Sequence, residues 1–242
     1  MNTLHYYLII FFLLIGTHHL QAQHIHDHKL WDELLQMYVD GHGGVDYEGI
    51  LKDKAKLEAY LEVVNAHPPE SSWTQQEKKA YLINAYNAFT VQLIIENYPL
   101  ESIRDIGWVL NNPFTTEFAK IGGKSYSLDD IEKGMLLKMG DPRVHFAINC
   151  ASASCPKLLN EAYIASKLEQ QLEASTFYFI NSKENKLAKT EVELSKIFKW
   201  YASDFETRDS SVLKFINAYS KTQVDPDATI SYLDYSWKLN SK

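Results

Sequence analysis

The chain has 242 residues, 45% of them hydrophobic and 23% charged, enough to bury one sizeable core and to form a single globular domain. Its formal net charge is −7, and no basic stretch carries interleaved aromatics. Nucleic acid is therefore not an expected partner, and an anionic membrane surface would repel the body of the protein.

The N-terminus differs from the rest. Tyr6 to Gly16 is an unbroken apolar run, followed by polar "THHLQAQ" with small Ala22 ahead of Gln23. This is the pattern of a secretory signal peptide over residues 1–22, although the start lacks Lys and Arg. A membrane helix needs about 20 apolar residues, so no stable anchor is expected once the leader is removed. No cysteine lies near the cleavage point, which argues against a lipid anchor. The expectation is an exported protein, periplasmic or extracellular, with residues 23–242 as its domain.

His24, His26 and His28 alternate ahead of an amphipathic helix over about Leu30 to Val39. On an extended segment such histidines could share a metal, but a frayed terminus gives only adventitious binding. A second amphipathic helix is expected from Asp53 to Asn65, broken by Pro68 and Pro69. Thr74 and Glu77 then form a capping-box signature ahead of "AYLINAYNAFTVQLIIENYP". That helix, reaching about Tyr98, is apolar nearly all round and reads as the central buried helix. Alternation around Gly122-Gly123 signals a two-residue hairpin. "SLDDIEKGMLLKMGDP" reads as a helix, "RVHFAIN" as a strand and Glu161 to Asn181 as a long helix. A short hairpin leading into a helix near Leu194 to Ala202, a helix near Ser211 to Tyr219 and the strand "TISYLDYSW" complete the chain. The class is α+β, helix-rich, with a small, mostly antiparallel sheet.

"VDY", "INAYNAF", "SLDDIEKG", "DPRVHFAINCASASCP" and "LSKIFKWYASDF" stand in an order that resembles the domain of unknown function 547 family, over about residues 45–242. The resemblance implies family membership and little about activity. It also implies that the Cys150 position is typically cysteine, that Cys155 alternates with serine, and that Pro156 closes the loop.

Three readings of Cys150 and Cys155 compete. They could form a structural disulfide that pins the loop. They could be a redox pair, against which the spacing speaks, since it is not Cys-x-x-Cys. Or Cys150 is a nucleophile, as in thiol hydrolases and acyl transferases. Alternation would put Val144, Phe146 and Ile148 on a core face, with Arg143, His145 and Asn149 opposite. On an extended strand His145 and Cys150 would lie roughly 16 Å apart, at about 3.3 Å per residue, too far for direct proton transfer unless the chain folds back. Glu132, preceded by Asp129 and Asp130, could orient His145 or simply favour a helix start. Asn84, Asn87 and Asn149 could reach a substrate or could bond to neighbouring backbone. Arg143 could hold a substrate carboxylate or join a surface ion pair. No metal set, phosphate loop or other cofactor motif is apparent. The expected function is a thiol-dependent hydrolase or acyl transferase acting on an amide or ester, with a small molecule or peptide of the cell envelope as partner. The alternative is a non-catalytic binding or structural module stapled by a Cys150-Cys155 disulfide.

Overall fold

The computed structural model describes residues 25–107, 112–206 and 210–242. The leader expected over 1–22 and His24 lie outside the described residues. Among the described residues no helix is long and apolar enough to cross a membrane.

Among the described residues the first half is built on the helices α1 Lys29–Tyr38, α2 Tyr47–Lys52, α3 Lys54–Ala66 and α4 Gln75–Glu96. The start of α4 is fixed by the capping box. Glu77 N–H donates to Thr74 Oγ1 at 3.2 Å, and Thr74 N–H donates to Glu77 Oε2 at 2.7 Å. From Ala80 to Val91 every residue of α4 is buried, because α2, α3 and the helix Asp130–Leu136 pack around it. Strands β1 Ala119–Ile121 and β2 Lys124–Tyr126 pair antiparallel around Gly122-Gly123. Both glycines have positive φ, 60° and 76°, as a tight hairpin of this kind requires. Their N–H groups donate to the backbone and side-chain oxygens of Asn65, seating the hairpin on the end of α3.

The second half comprises α5 Leu168–Ile180, β3 Lys186–Leu187, β4 Glu191–Leu194, α6 Ile197–Trp200, α7 Ala202–Phe205, α8 Val212–Tyr219 and β5 Thr229–Tyr232. β3 pairs antiparallel with β4, and β4 pairs parallel with β5. The architecture is thus α+β, with two of three strand pairings antiparallel. Phe146 is the hub of a separate aromatic core, its ring centroid 5.2 Å from Phe179, 5.8 Å from Phe198 and Phe205, and 6.1 Å from Phe215.

Three local expectations change. "RVHFAIN" is not a strand: Pro142–Phe146 forms a 3-10 helix. Asp141 caps it by accepting from Arg143 N–H, and Pro142 occupies its first turn. The Asp-Pro start signal therefore outweighs the apolar alternation. Val144, His145 and Phe146 are all buried, against different neighbours, so the two-face partition does not hold. The long helix expected from Glu161 begins only at Leu168, because residues before it make side-chain bonds: Ala162 N–H donates to Asp32 and Tyr163 N–H to Asn84.

His26 and His28 are not on a frayed extended segment. Residues 25–27 are helical. The His26 ring lies edge-on to Trp73 at 4.4 Å, and His28 is buried with Nδ1 2.9 Å from Tyr60 Oη.

Candidate functional site

The segment from Ile148 to Pro156 leaves the 3-10 helix and turns back on itself. Ala151 adopts a left-handed φ of 59°, and Cys155 N–H donates to the Ser152 carbonyl at 3.0 Å. An alanine in that conformation costs about 1 kcal/mol, so the surroundings must hold it. They do so from two sides. From α4, Asn87 accepts from Asn149 N–H at 2.8 Å and donates to the Ala147 carbonyl at 3.0 Å. Asn149 in turn accepts from Ala151 N–H at 2.8 Å and donates to the Pro156 carbonyl at 2.7 Å, tying the two ends of the loop together. From the other side the C-terminal segment runs along the loop: Ala153 N–H donates to the Lys238 carbonyl and Asn240 N–H to the Ala151 carbonyl.

The turn brings the two sulfurs together. Cys150 Sγ and Cys155 Sγ are 2.8 Å apart as free thiols sharing a hydrogen bond, and Cys150 N–H donates to Cys155 Sγ at 3.0 Å. Cys150 Sγ also lies 3.2 Å from both Ser152 Oγ and Tyr235 Oη, which are themselves 2.8 Å apart. The Cys155 thiol, helped by the Ser152 and Tyr235 hydroxyls, outweighs burial and draws the Cys150 thiol down to about 7. Burial pushes the Cys155 thiol up, and the charge on Cys150 adds to that. Cys150 is the sulfur that ionises first.

Both sulfurs line a cavity of about 360 Å³ that also holds His145, Glu132, Tyr86 and Tyr201. One wall is aromatic. The Trp200, Tyr235 and Trp237 rings sit 4.8 to 5.9 Å from one another, and Trp200 remains 47% exposed at the mouth. Asp129 and Lys133, an ion pair at 2.7 Å, also line the cavity. Glu132 is 4% exposed, and burial raises its pKa against the Tyr201 and Tyr86 hydroxyls that donate to it. It is carried inward by a widened helical turn: Asp130–Leu136 is a π-helix, in which Leu137 N–H donates to the Glu132 carbonyl five residues back.

Glu132 does not orient His145. That role falls to Asp204 of α7, whose Oδ2 is 2.8 Å from His145 Nε2. His145 is 3% exposed, and burial depresses its pKa in spite of Asp204. With Nε2–H donated to Asp204, Nδ1 of the neutral ring is an acceptor. His145 and Cys150 share the cavity without a hydrogen bond between them, since Cys150 Sγ is engaged by Cys155, Ser152 and Tyr235. His145 stands near the end of the 3-10 helix Pro142–Phe146, and the chain that joins it to Cys150 is not an extended strand but leads into the turn at Ala151.

The residues expected to touch substrate are engaged elsewhere. Asn84 is buried and bonded at both ends to Tyr163 backbone, and Asn87 and Asn149 brace the loop as described. These are buried amides satisfied by backbone, and none of the three lines the cavity that holds both sulfurs. Arg143 grips Asp141 with two bonds of 2.9 Å and reaches Glu169 and Glu173 at 2.8 and 3.2 Å, so its fork is filled by carboxylates of the protein. Burial works against the Asp141 charge, but Arg143 and Lys79 hold its pKa near 2.

Ser152, Asp204 and Tyr235 were not among the expected site residues. Asp204 had a faint signal in "WYASDF". Tyr235 had none, being 85 residues from its partner Cys150. Among the described residues no group of three or more His, Cys, Asp or Glu side chains is placed to hold a metal ion.

Residues 70–180 match the family model described as "Protein of unknown function, DUF547". The match runs through α4, Glu132, His145, both cysteines and α5, whereas Asp204 and Tyr235 lie beyond it. Comparisons with curated proteins and with solved structures give no match. The segment that carries the paired cysteines belongs to the domain of unknown function 547 family.

Proposed function

We propose that this is a thiol-dependent hydrolase or acyl transferase with Cys150 as its nucleophile. The observation that carries the reading is the setting of Cys150 Sγ, which meets Cys155, Ser152 and Tyr235 at the wall of a cavity shared with Glu132 and with His145, itself bonded to Asp204. The thiolate attacks the carbonyl carbon of an amide or ester, and a carbon–sulfur bond forms as the carbonyl oxygen takes up negative charge. The backbone N–H groups of residues 149 to 151 are already engaged, so the hydroxyls of Tyr235 and Ser152 receive that oxygen as charge leaves the sulfur. Glu132, whose hold on its proton burial strengthens, serves as the acid that gives a proton to the leaving nitrogen or oxygen as that bond breaks. Water then attacks the thioester and passes a proton to His145 Nδ1, and exchange with solvent restores both groups. The cavity volume suits a small molecule or the end of a peptide.

The test is incubation of reduced protein with 4-nitrophenyl acetate. The reading expects a burst of nitrophenolate and one acetyl group on the Cys150 peptide, absent in Cys150→Ala. Acetylation spread over lysines, with no burst, contradicts it.

The apolar run at Tyr6 to Gly16 supports an exported protein acting in the cell envelope, without a retained anchor. An intact N-terminus on the mature protein, read by mass spectrometry, contradicts that part. The sulfur contact itself supports a second reading, a non-catalytic module with a fixed Cys150-Cys155 staple. That reading requires both thiols to stay blocked in native protein until reductant is added.

A further inference from the structure

Spacing spoke against a redox role for the cysteines, but spacing matters only through the geometry it produces. In the Cys-x-x-Cys arrangement a helix start presents the two sulfurs to each other. Here a turn does the same for residues five apart, with Ala151 at positive φ and Cys155 N–H bonded to Ser152. The sulfurs are already in contact at 2.8 Å, both face the cavity, and the loop is pinned by Asn87 and Asn149 on one side and by residues 236 to 240 on the other.

The two thiols are not equivalent. Cys150 Sγ collects the hydroxyl contacts of Ser152 and Tyr235, whereas Cys155 Sγ accepts the Cys150 backbone N–H. One sulfur is set up to ionise and attack. The other stays protonated beside it until needed, within reach of the sulfur it would have to displace.

We infer that Cys150 and Cys155 form an exchangeable dithiol that reduces low-molecular-weight disulfides admitted to the aromatic-walled cavity. The inference rests on Cys150 being the nucleophile proposed above, and adds a reaction that needs Cys155 as well. The Cys150 thiolate attacks one sulfur of R–S–S–R′. A Cys150–S–S–R bond forms, the substrate S–S bond breaks, and R′–S⁻ leaves and takes a proton from solvent. Cys155 then loses its proton and attacks Cys150 Sγ, which closes the Cys150–Cys155 disulfide and releases R–S⁻. Two electrons pass from the dithiol to the substrate. The reverse steps with two molecules of the small thiol restore the dithiol. The fixed-staple and nucleophile readings become two states of one pair.

The experiment treats reduced, full-length protein with 5,5′-dithiobis(2-nitrobenzoic acid), following thionitrobenzoate release and the mass of each cysteine peptide. Wild type is expected to release two equivalents per chain, retain none and end with a Cys150–Cys155 disulfide. Cys155→Ser should release one equivalent and retain one on Cys150. Wild type that keeps thionitrobenzoate on Cys150, or on both cysteines, overturns the inference while leaving Cys150 a nucleophile. A Cys150 that stays unmodified while Cys155 reacts overturns both. The wild-type stoichiometry is read without any variant, so poor folding of Cys155→Ser would not shield the inference.

Discussion

Two groups of polar side chains brace the segment 145–163, and they are built on opposite principles. On its α4 side, Asn84, Asn87 and Asn149 have each carbonyl oxygen and each amide nitrogen matched to backbone. On its cavity side, Cys150, Ser152 and Tyr235 bond mainly to one another, through hydrogens that can rotate or leave. Matched amides lock a shape, since breaking any one bond strands a buried partner. Hydroxyls and thiols in mutual contact can redistribute charge without moving the backbone. The asparagines are therefore read as the frame and the thiol corner as the working part.

The sharpest way to break that division is to truncate one member of each group. Cys150→Ala should lower 4-nitrophenyl acetate turnover by on the order of 10³, while the unfolding free energy from urea titration stays within about 1 kcal/mol of wild type. Asn87→Ala should do the reverse at equilibrium. It strands the Asn149 N–H and the Ala147 carbonyl, so stability should fall by about 3 kcal/mol in urea unfolding. If Asn87→Ala is neutral in stability, the asparagines are not the frame.

A pH-dependent effect, small near neutrality, separates buried histidines that serve the frame from those that serve the cavity. Burial lowers the folded-state pKa of His28 to about 3, from 6.5. The unfolded chain therefore takes up the proton first. The stability that comes with a neutral His28 is complete above about pH 6.5 and is lost as pH falls toward 3. The limiting slope from this one group is about 1.4 kcal/mol per pH unit. His28→Gln should flatten the stability profile between those limits. An unchanged profile would mean that His28 is not buried in neutral form.

The smallest effect is expected at Arg143, which belongs to neither group. Arg143→Ala should cost about 1 kcal/mol, with Lys79 still paired to Asp141, and should leave Cys150 reactivity untouched. Loss of Cys150 reactivity in that variant would return Arg143 to the site.

What could be read from sequence follows the range of the forces involved. The α4 helix was legible from a cap and a run of apolar residues, both local, and so was the Gly122-Gly123 hairpin. The His145 segment was misread because alternation was weighed above Asp141-Pro142, although both signals were present. Cys150, His145 and Glu132, the candidates the sequence offered for catalysis, line one cavity, yet their bonding partners were not legible. Asp204 reaches His145 across 59 residues and Tyr235 reaches Cys150 across 85, and no local pattern encodes such contacts. The asparagines were legible as buried amides, but whether an amide faces backbone or substrate is decided by packing alone.

The central claim is that Cys150, and not Cys155, is the ionising sulfur of the corner. Reduced native protein should be alkylated with iodoacetamide across a pH series, with each cysteine peptide quantified by mass spectrometry. The account predicts that Cys150 is modified first and that its rate levels off near pH 7, while Cys155 is protected until the chain is unfolded. Equal labelling of the two, labelling of Cys155 first, or a Cys150 rate still climbing through the ordinary thiol range near about 8.5 would contradict it.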